Sequence, residues 1–146
     1  MINIPDDVRN FVNFQKLGYV ATVSKDGMPN LSPKGTIAVI DNSTLVFADI
    51  RSPQTINNLK QNPSLEINVV DPFQRVGYRF KGIGKVIRDG SDFEKILEHY
   101  QKSGIKSKIN SVVVIDVKSI DEVTSPSYDL GFTKDELISK WKKHYL

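Results

Sequence analysis

Very short connections between strand-like segments are the feature of this sequence that most limits its fold. One strand is predicted at Tyr19–Val23 and a second from Asn30 to Ile40. Only a turn at Lys25–Met28 separates them, and its Asp-Gly pair is typical of a tight hairpin. Parallel neighbours need a crossover of roughly a dozen or more residues. The sequence therefore predicts antiparallel pairing and disfavours a doubly wound parallel sheet, for which it also has no Gly-x-Gly-x-x-Gly turn.

Four more strands are predicted along the rest of the chain. They are Thr44–Ala48, Leu65–Val69, Val76–Arg88 and Ser111–Val117. Ser111–Val117 is apolar on both faces, so it should be a central strand. Gly82 and Gly84 interrupt a long strand and predict a bend or bulge of the kind that curls a sheet into a barrel. Six strands with short helices between them predict a mainly β protein, a small antiparallel barrel.

The helices are expected to be short and peripheral. They are predicted at Asp6–Phe14, Ser52–Gln61, Ser91–Lys102 and Thr133–Trp141. The last two begin with capping boxes, Ser91–Glu94 and Thr133–Glu136. No linker, repeat or low-complexity segment divides the sequence, and we expect residues 1–146 to form one domain.

The start of the second helix has the composition of a phosphate site. Ser52 suits the N-cap position and Pro53 the first helical position, so the next N–H groups have no intrahelical partners. The guanidinium of Arg51 and the hydroxyls of Ser52 and Thr55 are expected to converge there, as a phosphate monoester requires. An ordinary capped helix after a strand would show the same pattern, and this window alone does not separate the two interpretations.

Composition excludes several classes of chemistry and location. The chain has no cysteine, which excludes disulfides, thiol chemistry and thiolate metal sites, so a redox role needs a bound cofactor. No apolar run approaches the roughly 20 residues of a membrane helix, and the first residues do not resemble a signal peptide. We expect a cytoplasmic protein without a membrane partner. The net charge of +3 is dispersed apart from the last helix, which makes nucleic-acid binding a weak alternative.

Metal and hydrolase chemistry have little support. The two histidines, His99 and His144, have no acidic or histidine neighbours at metal-ligand spacing, so no metal site is predicted. No serine lies in a Gly-x-Ser-x-Gly turn. Trp141 lies at helical spacing from Leu137 and is expected to pack the last helix onto the barrel or a partner, with ring stacking on a ligand as the alternative.

Three motifs, in this order, resemble the pyridoxamine 5′-phosphate oxidase-like, FMN-binding split-barrel superfamily. The first is the hairpin Gly18–Pro29, with Ala21-Thr22 and Asp26-Gly27; the second is the helix Ser52–Pro63; and the third is the strand Arg79–Val86 around Gly82. The resemblance covers nearly the whole chain. It implies a six-stranded antiparallel Greek-key split barrel that forms a homodimer with FMN at the interface.

The resemblance also implies which residues contact the flavin. Together with Arg51, the implied cofactor-binding residues are Lys34, Gly35, Thr36, Ala48, Asp49, Ser52, Gln54 and Thr55. The second strand supplies the first three and the end of the third supplies the next two. The helix start holds the phosphate. Gln54 stands where the family commonly has a basic residue, so Arg51 or Lys34 has to supply the missing positive charge.

The implied activity is that of a small oxidoreductase, with the flavin carrying the electrons or hydride. The reductant would be a nicotinamide or a partner protein, and neither the substrate nor a catalytic residue can be identified. A non-catalytic flavin-binding or electron-carrier protein would share every motif, and a haem role for His144 is a weaker alternative. Oxidation of vitamin B6 is not expected, because Lys140–Leu146 lacks the Arg-Leu-x-Pro element that this resemblance would require. Ser125, Ser127 and Tyr128 either reach the flavin or form a plain loop.

Overall fold

Seven strands form one antiparallel sheet in the computed structural model, which describes residues 2–146. The strands are β1 (Gly18–Val23), β2 (Pro29–Lys34), β3 (Ala38–Val39), β4 (Leu45–Asp49), β5 (Ser64–Asp71), β6 (Val76–Ile87) and β7 (Ser111–Thr124). The helices are α1 (Asp6–Gln15), α2 (Pro53–Gln61), α3 (Ser91–Lys102) and α4 (Lys134–Tyr145), with a 3-10 turn at Pro126–Leu130. The strand order across the sheet is β2-β1-β5-β6-β7-β4-β3.

The sheet curls until its two sides face the same interior. One core cluster contains Val20 from β1, Phe47 from β4 and Phe80 from β6, and α1 and α2 contribute to it as well. The backbone N–H of Ile37, which precedes β3, donates to the carbonyl of Lys16, which precedes β1, at 3.0 Å. The mainly β, antiparallel barrel class is thereby confirmed, in the form of a half-barrel.

The strand count differs from the six expected, because the segment predicted as one strand from Asn30 to Ile40 divides in two. Lys34 at the end of β2 pairs with Gly18 of β1, whereas Ala38 of β3 pairs with Val46 of β4. The chain therefore changes its partner strand between residues 34 and 38. The Thr36 hydroxyl accepts the N–H of Ala48 at 2.9 Å, so a side chain replaces a ladder hydrogen bond at the break.

A second core lies on the outer face of the sheet, under α3. Phe93, Ile96 and Tyr100 of this helix pack with Val46 of β4 and Val112 of β7. Burial on both faces explains why every residue of β4 is buried and why residues 112–115 of β7 are all apolar. The predicted central position of the last strand is confirmed, since β7 pairs with both β6 and β4.

The glycine in the middle of β6 lies at a bulge. The β6–β7 register shifts between Lys81 and Gly82, as the sequence predicted. A Cβ atom at Gly82 would come within 2.5 Å of the carbonyl oxygen of Asp116 and 2.8 Å of the Ile115 side chain. Only a residue without a side chain lets the two strands approach this closely.

Of the two predicted capping boxes, one is confirmed and one is wrong. The Thr133 hydroxyl accepts the N–H of Glu136, and the Glu136 side chain accepts the N–H of Thr133. Helix α3 instead begins one residue earlier than a Ser91 cap would require. Gly90, at φ +96°, takes the cap position, and its carbonyl accepts the N–H of Glu94.

The substitution Gly82→Ala should destabilise the protein by about 1–3 kcal/mol, because the added methyl group meets backbone rather than a flexible side chain. Urea unfolding gives the free energy of unfolding. Gly35→Ala is the matched control, because a Cβ at Gly35 has no neighbour within 4 Å. Equal stabilities of the two variants would contradict the close β6–β7 approach.

Candidate functional site

The residue before α2 is held by a lysine from another strand. Ser52 takes the cap position predicted for it, but its hydroxyl makes no capping bond to the helix. Instead it accepts a hydrogen bond from the Lys34 ammonium at 2.5 Å, and both side chains are buried. The first N–H groups of α2 therefore remain without a side-chain cap at the positive end of the helix dipole.

Asp49 fixes the loop that leads into α2. One carboxylate oxygen accepts the N–H of Ser52 at 3.2 Å, and the other accepts the Ser111 hydroxyl at 2.8 Å. The Asp49 carbonyl accepts the N–H of Asn110 at 2.9 Å. Both oxygens of this buried carboxylate therefore have partners within the protein, and Asp49 ties β4, β7 and the start of α2 together.

Lys34 carries its charge in a site that is unfavourable for it. Its side chain is buried, and burial lowers the pKa of the Lys34 ammonium below its ordinary value, while the nearby carboxylate of Asp49 partly opposes that effect. The single bond to Ser52 thus joins a desolvated cation to the helix start.

The turn after β2 faces a different part of the surface from the start of α2. The Thr36 carbonyl accepts the Tyr100 hydroxyl at 2.7 Å, and its own hydroxyl accepts the N–H of Ala48. Gly35 and Thr36 line a small cavity beside α3, while the Ala48 side chain packs in the outer core. Gly35, Thr36 and Ala48 were predicted to contact a flavin, but they do not line the groove at the start of α2 that is described next.

A broad groove of about 1100 Å³ lies at the start of α2. Four of the predicted residues line it: Asp49, Arg51, Ser52 and Gln54. Thr55 is only 1% exposed, on the core side of α2. Lys34 reaches the groove through its bond to Ser52.

Three more cationic residues line the groove, and the sequence analysis did not predict them: Lys60, Arg88 and Lys108. Arg88 follows β6 and Lys108 precedes β7, and they meet Arg51 because the β4–β7 and β6–β7 registers bring these loops together. The Asn110 amide also donates to the carbonyl of Ile50 at 3.1 Å. No local sequence signal could have found these residues, because only the strand pairing makes them neighbours.

The groove is therefore electropositive. Four cationic side chains line it, and its one carboxylate is that of Asp49, whose two oxygens already accept hydrogen bonds. Phe93 and Ile109 add apolar surface beside the charges. Such a wall, next to uncapped helix N–H groups, suits an anion with an apolar body.

A chain of polar side chains anchors α2 to β1. The Gln54 amide donates to Asn58 at 2.7 Å, and the buried Asn58 amide donates to the Thr22 hydroxyl of β1 at 3.0 Å. Asn58 and Thr22 both lie in motifs that carry the family resemblance, but neither was predicted as a site residue. The chain fixes the orientation of the helix whose N-terminus opens into the groove.

The C-terminal segment packs away from the groove. The Tyr128 hydroxyl donates to the carbonyl of Gln74, and the Arg75 guanidinium stacks on the Trp141 ring at 3.7 Å, as the packing interpretation of this tryptophan predicted. His144 lies 5.3 Å from the same ring. Across residues 2–146, no group of His, Asp or Glu side chains is arranged to hold a metal ion. Within the same range, no helix is long and apolar enough to cross a membrane.

Comparison with known proteins gives a consistent family. The family described as pyridoxamine 5′-phosphate oxidase matches residues 4–124. An uncharacterized protein of Methanocaldococcus jannaschii is 29% identical over 124 residues, which are 81% of this chain and 80% of that protein.

Two solved structures illustrate the likeness in fold. HupZ of Group A Streptococcus has a TM-score of 0.76 at 30% identity, over 84% of this chain and 95% of that one. An FMN-binding protein from Syntrophomonas wolfei has a TM-score of 0.70 at 18% identity, over 81% of this chain and 84% of that one.

The change Lys34→Met should alter the pH dependence of stability. Because burial lowers the pKa of Lys34 in the folded state below 10.5, the unfolded chain binds more protons at this residue between the two pKa values. The contribution of Lys34 to the free energy of unfolding should thus be constant below this window and rise with pH through it. Urea titrations from about pH 7 to about pH 11 compare the two proteins. A difference in stability that stays flat, or moves in favour of the variant, would contradict the burial of a charged lysine.

Proposed function

This chain belongs to the pyridoxamine 5′-phosphate oxidase family, and from that premise we propose that it binds FMN, with the phosphate in the groove at the start of α2. The structure of a protein described as FMN-binding, from Syntrophomonas wolfei, shares the fold and supports the proposal. The observation that carries the proposal is the start of α2, which has no side-chain cap and lies among cationic side chains. The one carboxylate in the groove, that of Asp49, already accepts hydrogen bonds within the protein and does not neutralise these cations.

The groove fits a phosphate monoester in charge and in donor type. A phosphate monoester carries about −1.5 to −2 charges at neutral pH and offers three strong acceptor oxygens. Arg51, Arg88 and Lys108 supply positive charge from three different loops. Gln54 and Thr55 would add N–H groups from the first turn of α2. The basic residue that Gln54 replaces is therefore compensated by cations from elsewhere in the chain.

Lys34, Gly35 and Thr36 are proposed to contact the flavin ring from the turn after β2. When bound, FMN supplies the transfer of electrons or hydride. The part of Lys34 is electrostatic: its ammonium, oriented by Ser52, favours negative charge near the ring. Ala48 and Asp49 belong to the same proposed site through their backbone, because the Ala48 side chain packs in the core and the Asp49 carboxylate is occupied.

The proposed protein is a homodimer with the flavin at the interface. The groove is broad and open, so one protomer would cover only one side of a flavin, whereas ligand sites normally bury most of the ligand. Exposed apolar residues on the neighbouring edge hairpin, Tyr19, Met28 and Leu31, are available for a second copy. A stoichiometry of one FMN per protomer is expected.

FMN should bind more tightly than riboflavin, and the double change Arg51→Ala with Lys108→Ala should reduce that preference. A charge-assisted contact contributes about 1.5–3 kcal/mol, so FMN affinity should fall about tenfold or more while riboflavin affinity stays unchanged. Quenching of flavin fluorescence measures both affinities.

The matched control is Lys142→Ala with Lys143→Ala, which removes the same total charge from exposed positions of α4. It should leave both affinities unchanged. If the control pair weakens FMN as much as the groove pair does, only net charge matters and the phosphate lies elsewhere. Sedimentation of the FMN-loaded protein as a monomer would contradict the interfacial site.

The proposed activity is oxidoreduction between a nicotinamide or partner reductase and a small acceptor. Anaerobic mixing of the FMN-loaded protein with NADH or NADPH should bleach the flavin band, with free FMN as the control. If neither the nicotinamides nor a cell-extract reductase bleaches the band, the protein is a non-catalytic flavin-binding module.

A further inference from the structure

A second, smaller cavity lies beside α3, apart from the groove at α2. Its volume is about 200 Å³, and it is walled by the C-terminal ends of α1 and α3 and by the chain between β2 and β3. Engineered cavities of about 150 Å³ bind benzene, so this one has room for a single ring-sized molecule. Its apolar walls come from Ile37, Ala38 and Ile105.

Most polar groups around the cavity are already bonded within the protein. The Asn13 amide donates to the carbonyl of Val39 and accepts its N–H. The hydroxyl of Tyr100 donates to Thr36 at 2.7 Å, and that of Ser103 donates back to its own helix. These groups shape the cavity and leave little capacity for a ligand.

Two polar side chains on the cavity wall remain available, those of Lys16 and His99. Within residues 2–146, the side-chain nitrogens of Lys16 and His99 make no hydrogen bond or ion pair. Burial lowers the pKa of the His99 imidazole, which favours the neutral form with one N–H to donate. The cavity wall contains no Asp or Glu, so nothing there neutralises the lysine.

The backbone of Lys16 is itself unusual. It has a φ of +62°, a left-handed value at the C-terminal end of α1 that glycine adopts at lower cost. Its N–H donates to Val12 and its carbonyl accepts the N–H of Ile37, so both sides of this residue are fixed. Strained non-glycine residues are concentrated at binding sites. Lys16 is an exposed residue, and its fixed backbone keeps it in the lining of the cavity.

We propose that this cavity binds a small organic carboxylate, with the ring or alkyl body against Ile37, Ala38 and Ile105 and the carboxylate between Lys16 and His99. An ammonium and a neutral imidazole are both donors to an anion, whereas a cationic ligand would find no acceptor charge here. The cavity lies apart from the α2 groove, but it shares Gly35 and Thr36 with the proposed flavin-ring contacts. Binding of the carboxylate does not require a flavin to be present.

Three ring compounds that differ only in their polar group test the proposal. Benzoate, benzamide and benzylamine are titrated into isotope-labelled protein without added flavin, and amide chemical shifts are followed by NMR. Benzoate should saturate and shift resonances around residues 13–16, 35–38 and 99–105. Benzamide should bind about tenfold or more weakly, because it lacks the charge, and benzylamine should not bind.

Variants separate direct contact from diffuse charge attraction. Lys16→Gln should lower the affinity for benzoate about tenfold and leave the affinity for benzamide unchanged. Lys16→Arg keeps the charge and should bind benzoate as the unchanged protein does. His99→Phe keeps a ring but removes the N–H, so it should also weaken benzoate. The control Lys106→Gln removes an exposed lysine one residue after Ile105 that does not line the cavity.

The proposal is overturned if benzylamine binds as well as benzoate, if the shifts map elsewhere, or if Lys106→Gln and Lys16→Gln have equal effects. Spectra of each variant without ligand establish that it is folded. Because Gly35 and Thr36 line this cavity and are also proposed to contact the flavin ring, the titrations are done without flavin, which keeps the two proposals separate. Benzoate binding in protein that takes up no flavin would leave this site standing and remove the flavin proposal alone.

Discussion

The antiparallel pairing of β4 with β7 is the interaction on which the rest of this structure depends. All five residues of β4 are paired with β7, from Leu45 opposite Ile115 to Asp49 opposite Ser111. The last pair is also joined through side chains, because the Ser111 hydroxyl donates to the Asp49 carboxylate. On its other side β7 pairs with β6. The two registers therefore fix the positions of three loops: the one after β4, the one after β6 and the one before β7. The groove at α2 is the space between those three loops.

Polar residues are also buried where the sheet meets the start of α2, although most of the buried residues of the sheet are apolar. Lys34, Asp49 and Ser52 are each less than a tenth exposed, and burial of charged groups is costly unless they are bonded. Here the lysine donates to the serine, while the aspartate accepts from the serine N–H. Apolar residues of similar size would hold the strands together at least as well. What the polar set adds is a helix start whose cap residue is occupied, so that its N–H groups face the groove.

The antiparallel barrel could be predicted because its signals are local. The Asp26-Gly27 turn closes a hairpin within a few residues, and the apolar run around Val113 shows burial on both faces without reference to any other strand. The bulge at Gly82 was equally visible, since a glycine in mid-strand already indicates close backbone approach.

What the sequence concealed depends on distant pairing or on a shift of one residue. The break between β2 and β3 arises because Ala38 pairs with β4, whereas Lys34 pairs with β1. Gly35 lies between them, but a single glycine in a strand pattern does not show that the chain changes its partner strand. Ser91 has the composition of a cap, yet Gly90 takes that position because its carbonyl accepts the first helical N–H. Arg88 and Lys108 could not be predicted as site residues, because only the pairing of distant strands brings them to the groove. The phosphate-like helix start was predicted, but of the four cations that line the groove only Arg51 was predicted.

The turn after β2 separates the two cavities and links them physically. Lys34 points its ammonium toward the start of α2, while Gly35 and Thr36, the next residues, line the cavity beside α3. Thr36 is bonded on both sides, to Ala48 of β4 and to Tyr100 of α3. A change at Thr36 would therefore disturb the sheet, the helix and both cavities together, and its effect could not be assigned to either ligand. Lys16 lines only the cavity beside α3 and Arg51 lines only the groove at α2, so a change at either residue tests one ligand site alone.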